Sequence, residues 1–135
     1  MSSEQEEFQR LSDQYVYLQG LLKALSDQER VVSAYLQEAE AASQALGAIA
    51  GEFLAPVGSG VFVHASLVSR MVFVSLGQGI FAERPVKEAM AYVEKRKQEL
   101  RETVEKTQLS EGQTLSAMRS MEPRIGQLAK KLGLA

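Results

Sequence analysis

The chain has no cysteine, no tryptophan, a single histidine and only three prolines in 135 residues. Without cysteine there is no disulfide, no thiol nucleophile and no thiolate zinc site. The lone histidine, His64, has no second metal ligand and no nucleophile placed near it by the sequence, so it is expected to be a structural or surface residue. Aromatic residues make up 7 % of the chain, too few for a globular core built around large rings. Hydrophobic residues nevertheless reach 45 %, which suits a folded chain rather than a disordered one. A thin, elongated core of Leu, Val, Ala and Met reconciles the two. No apolar run approaches the roughly 20 residues of a membrane helix. The first ten residues are polar and acidic, unlike a secretory signal. These absences predict a soluble, cytoplasmic protein of one domain, residues 1–135, without catalysis or cofactor.

Charge is unevenly spread. Residues 1–53 carry nine acids and three bases, a net −6, whereas residues 85–135 carry seven acids and ten bases, a net +3. An acidic and a basic segment within one chain favour their mutual pairing. The same distribution argues against nucleic acid, which asks for a concentrated basic face.

Between residues 4 and 53 apolar positions recur at alternating spacings of three and four. One series is Phe8, Tyr15, Leu22, Glu29, Leu36, Ser43, Ala50; the other is Leu11, Leu18, Leu25, Val32, Ala39, Leu46, Phe53. Such a stripe stays aimed at a partner only if the helix is part of a coiled coil. Residues 85–132 repeat the pattern, with Val86, Val93, Leu100, Thr107, Thr114, Met121, Leu128 in one series and Met90, Lys97, Val104, Glu111, Met118, Ile125, Leu132 in the other. Pro85 suits a first helical turn. Thr107 and Thr114 weaken the second seam, and Leu109 and Leu115 beside them suggest a shift of register. Pro123 is expected to kink or end the helix, with Gly126 loosening the turns beyond it. The two helices have nearly equal length and are predicted to run antiparallel, with Phe8 against Leu128–Leu132, Glu29 near Glu111 and Ser43 near Lys97.

Residues 54–84 change period from 3.5 to two. Four strands are predicted, 54–57, 61–67, 71–76 and 80–84, with Gly58-Ser59-Gly60 and Gly77-Gln78-Gly79 as hairpin turns. The second glycine pair lacks the lysine and helix start of a phosphate loop. Two hairpins alone bury too little to be stable, and apolar edges such as Val72-Phe73-Val74 invite strands from another chain. The fold class is therefore α+β: a long antiparallel coiled coil with two β-hairpins between its helices, assembling through Val61, Phe62, Val63, Val72, Phe73, Val74, Ile80 and Phe81.

The stretch Pro56-Val57-Gly58-Ser59-Gly60-Val61-Phe62-Val63-His64-Ala65, then Val72 to Glu83, then Ala89-Met90-Ala91-Tyr92-Val93-Glu94-Lys95-Arg96, resembles the α class of prefoldin subunits over essentially the whole chain. Four strands between the helices look like that class; the β class has one hairpin there. The resemblance implies a hetero-hexamer with two α and four β-class subunits, whose strands form an intersubunit β-barrel. It also implies an ATP-independent chaperone that holds unfolded client proteins at the coiled-coil tips and passes them to a group II chaperonin. At those tips stand Phe8, Leu11, Met118, Met121, Ile125, Leu128 and Leu132; flexible, Met-rich surfaces suit promiscuous binding. Pro123 departs from the family's expected arm helix.

Two other readings stay open. The same residues serve a passive coiled-coil scaffold or tether that uses its strands only to assemble, with the tip residues simply packing in the seam. A helical arm for RNA is the third, and the acidic first helix counts against it.

Overall fold

The computed structural model describes residues 2–134. In chain order it comprises α1 (Ser3–Ala48), β1 (Glu52–Gly58), β2 (Val61–Ser66), β3 (Met71–Gly77), β4 (Ile80–Pro85) and α2 (Val86–Lys131). The chain divides into two compact units, one running from Ala34 to Arg101 and the other made of the two segments that flank it. Among the described residues no helix is long and apolar enough to cross a membrane.

The flanking unit holds the beginning of α1 and the end of α2, packed antiparallel. α1 opens on a reciprocal cap. The Gln5 backbone N–H donates to Ser2 Oγ (3.2 Å) while the Ser2 N–H donates to Gln5 Oε1 (2.7 Å), which satisfies two backbone donors that a helix start leaves free. α2 ends on Gly133, whose φ of 72° is open to glycine at little strain. The Leu134 N–H reaches the Ala129 carbonyl at 2.8 Å and the Gly133 N–H the Lys130 carbonyl at 3.2 Å, the double closure of a Schellman motif.

Pro123 does not end α2: the helix continues through Gly126 to Lys131. The proline ring lies exposed, and cross-helix contacts hold the chain on both sides of it. Tyr15 donates its hydroxyl to Glu122 Oε1 at 2.9 Å. Arg124 grips Glu7 with two nitrogens, and Leu128, one turn on, is wholly buried. The predicted register shift is also absent. Thr107 and Thr114 are buried in the seam, and each hydroxyl donates to the carbonyl four residues back, Thr103 and Ser110, at 2.8 Å. Those bonds remove the penalty of an unpaired buried hydroxyl. Of the two leucines offered as competing seam residues, Leu109 is exposed and Leu115 is half-buried.

The central unit contains the end of α1, the two hairpins and the start of α2. Here α1 stops at Ala48 rather than Phe53. Gly47 and Gly51 weaken the helix, and Gly51 takes a φ of 62°, turning the chain so that Phe53 enters β1 opposite Ala65. Pro85, expected in the first helical turn, is instead the last residue of β4 opposite Met71. The hairpins are built alike. β1 pairs β2 and β3 pairs β4, both antiparallel, and each ladder has an irregularity just before its turn. Ser59 and Gly60 in one turn, and Gln78 and Gly79 in the other, all have positive φ, as a two-residue turn matched to strand twist requires.

The core is thin. Val86, Ala89 and Leu100 are buried in the central unit and Met118 and Leu128 in the flanking unit. No residue of α1 is fully buried; the buried residues all lie on α2.

Candidate interaction surfaces

Acid on α1 meets base on α2, as the charge distribution predicts. Glu40 lies 3.6 Å from Arg101 in the central unit; Glu7 lies 2.8 Å from Arg124 and Glu4 3.9 Å from Lys131 in the flanking unit. The Arg124 contact holds the Glu7 carboxyl below the ordinary carboxylate range. Ser43 donates to Glu94, which also pairs with Lys97 at 3.2 Å, and the two together lower the Glu94 carboxyl.

Glu29 and Glu111 meet across the seam. A hydrogen bond between the two side chains raises the Glu111 carboxyl above its ordinary value and lowers that of Glu29. Gln108 donates a second bond to Glu29 at 3.0 Å. The other Glu111 oxygen, Oε1, is buried without a hydrogen-bond partner, which adds to the cost of ionising that carboxyl.

Of the expected tip residues, Met118 and Leu128 are buried and Phe8, Leu11, Met121, Ile125 and Leu132 are half-buried. The structure therefore places all of them in the helix–helix seam. Around their end of the coil lies a shallow cleft of about 260 Å³ lined by Gln5, Phe8, Gln9, Leu132 and Leu134. Leu134, which the heptad pattern does not reach, is exposed there.

The expected assembly strands split into two groups. Val61, Phe62, Val63, Phe73, Ile80 and Phe81 are exposed, Phe73 by 72 %. Val72 and Val74 are half-buried and line a cleft of about 330 Å³ with Leu46, Ala89 and Val93, which Phe73 between them also borders. β3 thus turns one face to its own helices and the other outward. Sequence reasoning missed Leu54, Val57 and Leu76, which add to the exposed apolar surface of the hairpins; each lies in a strand with the alternation that could have flagged it. His64 is exposed on β2, and among the described residues no group of three or more metal-ligating side chains comes together.

An apolar surface on this scale is unusual for a monomer, and the arrangement has close counterparts. The family model for prefoldin subunits matches residues 11–131. A prefoldin subunit alpha of Pyrococcus horikoshii is 28 % identical over 138 aligned positions, covering 97 % of this chain and 88 % of that one. Another from Pyrobaculum calidifontis is 34 % identical, covering 78 % and 87 % respectively. Among solved structures, a chain of filamentous PFD from Methanocaldococcus jannaschii superposes with a TM-score of 0.53 at 21 % identity, covering 93 % of this chain and 94 % of that one.

Proposed function

Because the chain belongs to the prefoldin family, as an alpha-class subunit of a non-enzymatic chaperone, we propose that it works by assembling through its hairpins and holding unfolded proteins without ATP. The observation that carries this reading is the outward face of the two hairpins. Each is a two-stranded ribbon whose outer edges have no strand partner among the described residues, and its apolar side chains stand in water. Strands of β-class subunits would cover both, in a hetero-hexamer of two α and four β chains closed into a β-barrel. Clients would be held where the chain ends meet, around Phe8, Leu132 and Leu134, then released to a group II chaperonin in the cytoplasm. Leu134 is open to a client as it stands, whereas Phe8 and Leu132, half-buried, become available only when the seam opens.

The test is suppression of aggregation of a chemically unfolded protein by the purified assembly with no nucleotide present. The double substitution Phe8→Ser and Leu132→Ser should reduce suppression strongly while the assembly keeps its size. Unchanged suppression would move client binding elsewhere; absence of suppression by the unmodified assembly would end the holdase reading. A passive scaffold is the second reading, favoured by the burial of Met118 and Leu128 in the seam.

A further inference from the structure

α1 carries two apolar stripes, and the coiled coil covers only one. The second runs through Tyr17, Leu21, Ala24, Gln28 and Val31 at alternating spacings of four and three, so it winds beside the seam in step with it. None of the five is charged and all are exposed, Tyr17 by 69 % and Val31 by 55 %. The opposite flank of the same helix segment is different. Gln19, Lys23, Ser26, Asp27 and Arg30 lie there beside Leu22 and Met118, with Asp27 bonded to both Lys23 and Arg30. Apart from an exposed Val16, in line with Lys23 and Arg30, that is an ordinary solvated flank. A helix face meant only for water needs no apolar repeat.

We propose that the Tyr17–Val31 flank of α1 is a docking surface for an amphipathic α-helical segment of an unfolded client. The spacing selects a helix. Successive stripe residues are roughly 5 Å apart along the axis, a step that a parallel or antiparallel helix matches, whereas side chains on one face of a strand recur at roughly 7 Å. The length selects a transient occupant. Ordinary interfaces bury roughly 30–40 Å² per residue and about 800 Å² per partner. The stripe and its immediate neighbours, about ten residues, fall to about half of that. A second copy of the chain would not stay docked on so little, whereas a client must be held loosely enough to leave. The chemistry selects a varied occupant, because an uncharged stripe with a tyrosine hydroxyl and an amide penalises neither sign of flanking charge. This inference rests on the chaperone reading and deepens it by naming the class of client segment.

The experiment uses the full chain and a fluorescein-labelled peptide of about 21 residues, with leucines at three-and-four spacing among lysines and glutamates. A second peptide has the same composition with the leucines alternating. Fluorescence anisotropy should show micromolar binding of the first peptide, and about ten-fold weaker binding of the second. The variant Tyr17→Gln, Leu21→Gln, Val31→Gln should also bind the first peptide about ten-fold more weakly; glutamine keeps helix propensity, and circular dichroism should show unchanged helix content. The single variants Tyr17→Gln and Val31→Gln, at the most exposed positions, should each weaken binding in the same direction. Lys23→Gln with Arg30→Gln, on the solvated flank, should bind as the unmodified chain does. Equal affinity for both peptides, or unchanged affinity in the triple variant, overturns the proposal. So does dimerisation of the unmodified chain in sedimentation that the triple variant loses, since a second copy would then own the stripe. Aggregation suppression separates the two levels. If the purified assembly suppresses aggregation while the triple variant keeps its peptide affinity, only the docking surface falls; if the unmodified assembly suppresses nothing, the chaperone reading falls with it.

Discussion

Glu7 near the start of α1 and Arg124 near the end of α2 form a two-pronged ion pair, with Nε and Nη2 of the arginine each 2.8 Å from a different carboxylate oxygen. It sits one residue beyond Pro123, where α2 lacks one of its own backbone hydrogen bonds. The pair substitutes a cross-helix tie for the missing internal one.

Replacing Glu7 by Gln should therefore speed hydrogen exchange in the last turns of α2 more than in its middle. The difference should shrink in high salt, because both side chains are partly exposed. The Glu7 carboxyl is lowered in the fold, so its contribution is complete above the ordinary value of 4.5 and is lost as pH falls through the lowered one. Exchange that is equally fast in both proteins at neutral pH would show that the pair does not hold the helix end.

Glu111 has the opposite sign. Its carboxyl is raised by the bond to Glu29, by burial and by the charge of Glu29. The stabilisation is present below the ordinary 4.5 and is lost as pH rises through the raised value. Glu111→Gln keeps a donor toward Glu29 but cannot ionise. Its melting temperature should exceed that of the unmodified chain at alkaline pH, and the gap should narrow as pH falls to the ordinary 4.5. Parallel melting curves across that range would mean that the two carboxyls do not share a proton.

Thr114→Val should be neutral or stabilising, by up to about 1 kcal/mol. The hydroxyl it removes only doubles up on the Ser110 carbonyl, which retains its helical partner, and the added methyl packs in the seam. Chemical denaturation measures the change, and a clear loss of stability would assign the hydroxyl a cross-helix role.

Leu128→Ala should cost about 2–5 kcal/mol, because Leu128 is 0 % exposed. Leu109→Ala should change stability by less than about 0.5 kcal/mol, because Leu109 lies outside the seam in water. The reverse ranking would mean that the register slips around Thr107.

Phe73→Lys with Phe81→Lys should block assembly with β-class subunits while leaving helix content intact, since both rings point into water. Val72→Lys is expected to act differently. Val72 is half-buried against the chain's own helices, so its replacement should lower stability as well as assembly. Light scattering of the mixed subunits reads assembly, and thermal melting of each variant separates the two outcomes.

Much of this protein is written in local pattern. The alternation of three and four places the seam from Phe8 to Leu46 and from Val86 to Leu132, and the glycine pairs around Ser59 and Gln78 mark both turns, because helix periodicity and positive φ are properties of a few neighbouring residues. The acidic and basic halves likewise announce that the helices pair. Other features depend on what stands across from a residue. Thr107 and Leu109 have similar claims on the seam by spacing; the facing helix buries one and leaves the other in water. Pro123 reads as a break until Glu7 and Tyr15 are brought opposite its neighbours. Phe53 continues the heptad, but Gly51 and the ladder to Ala65 draw it into a strand. The division of β3 into an inner and an outer face, and the choice of which α1 stripe is covered, are likewise decisions of packing. A sequence specifies that a stripe exists; only the tertiary structure decides which stripe meets a partner, because burial is a relation between two surfaces and not a property of either.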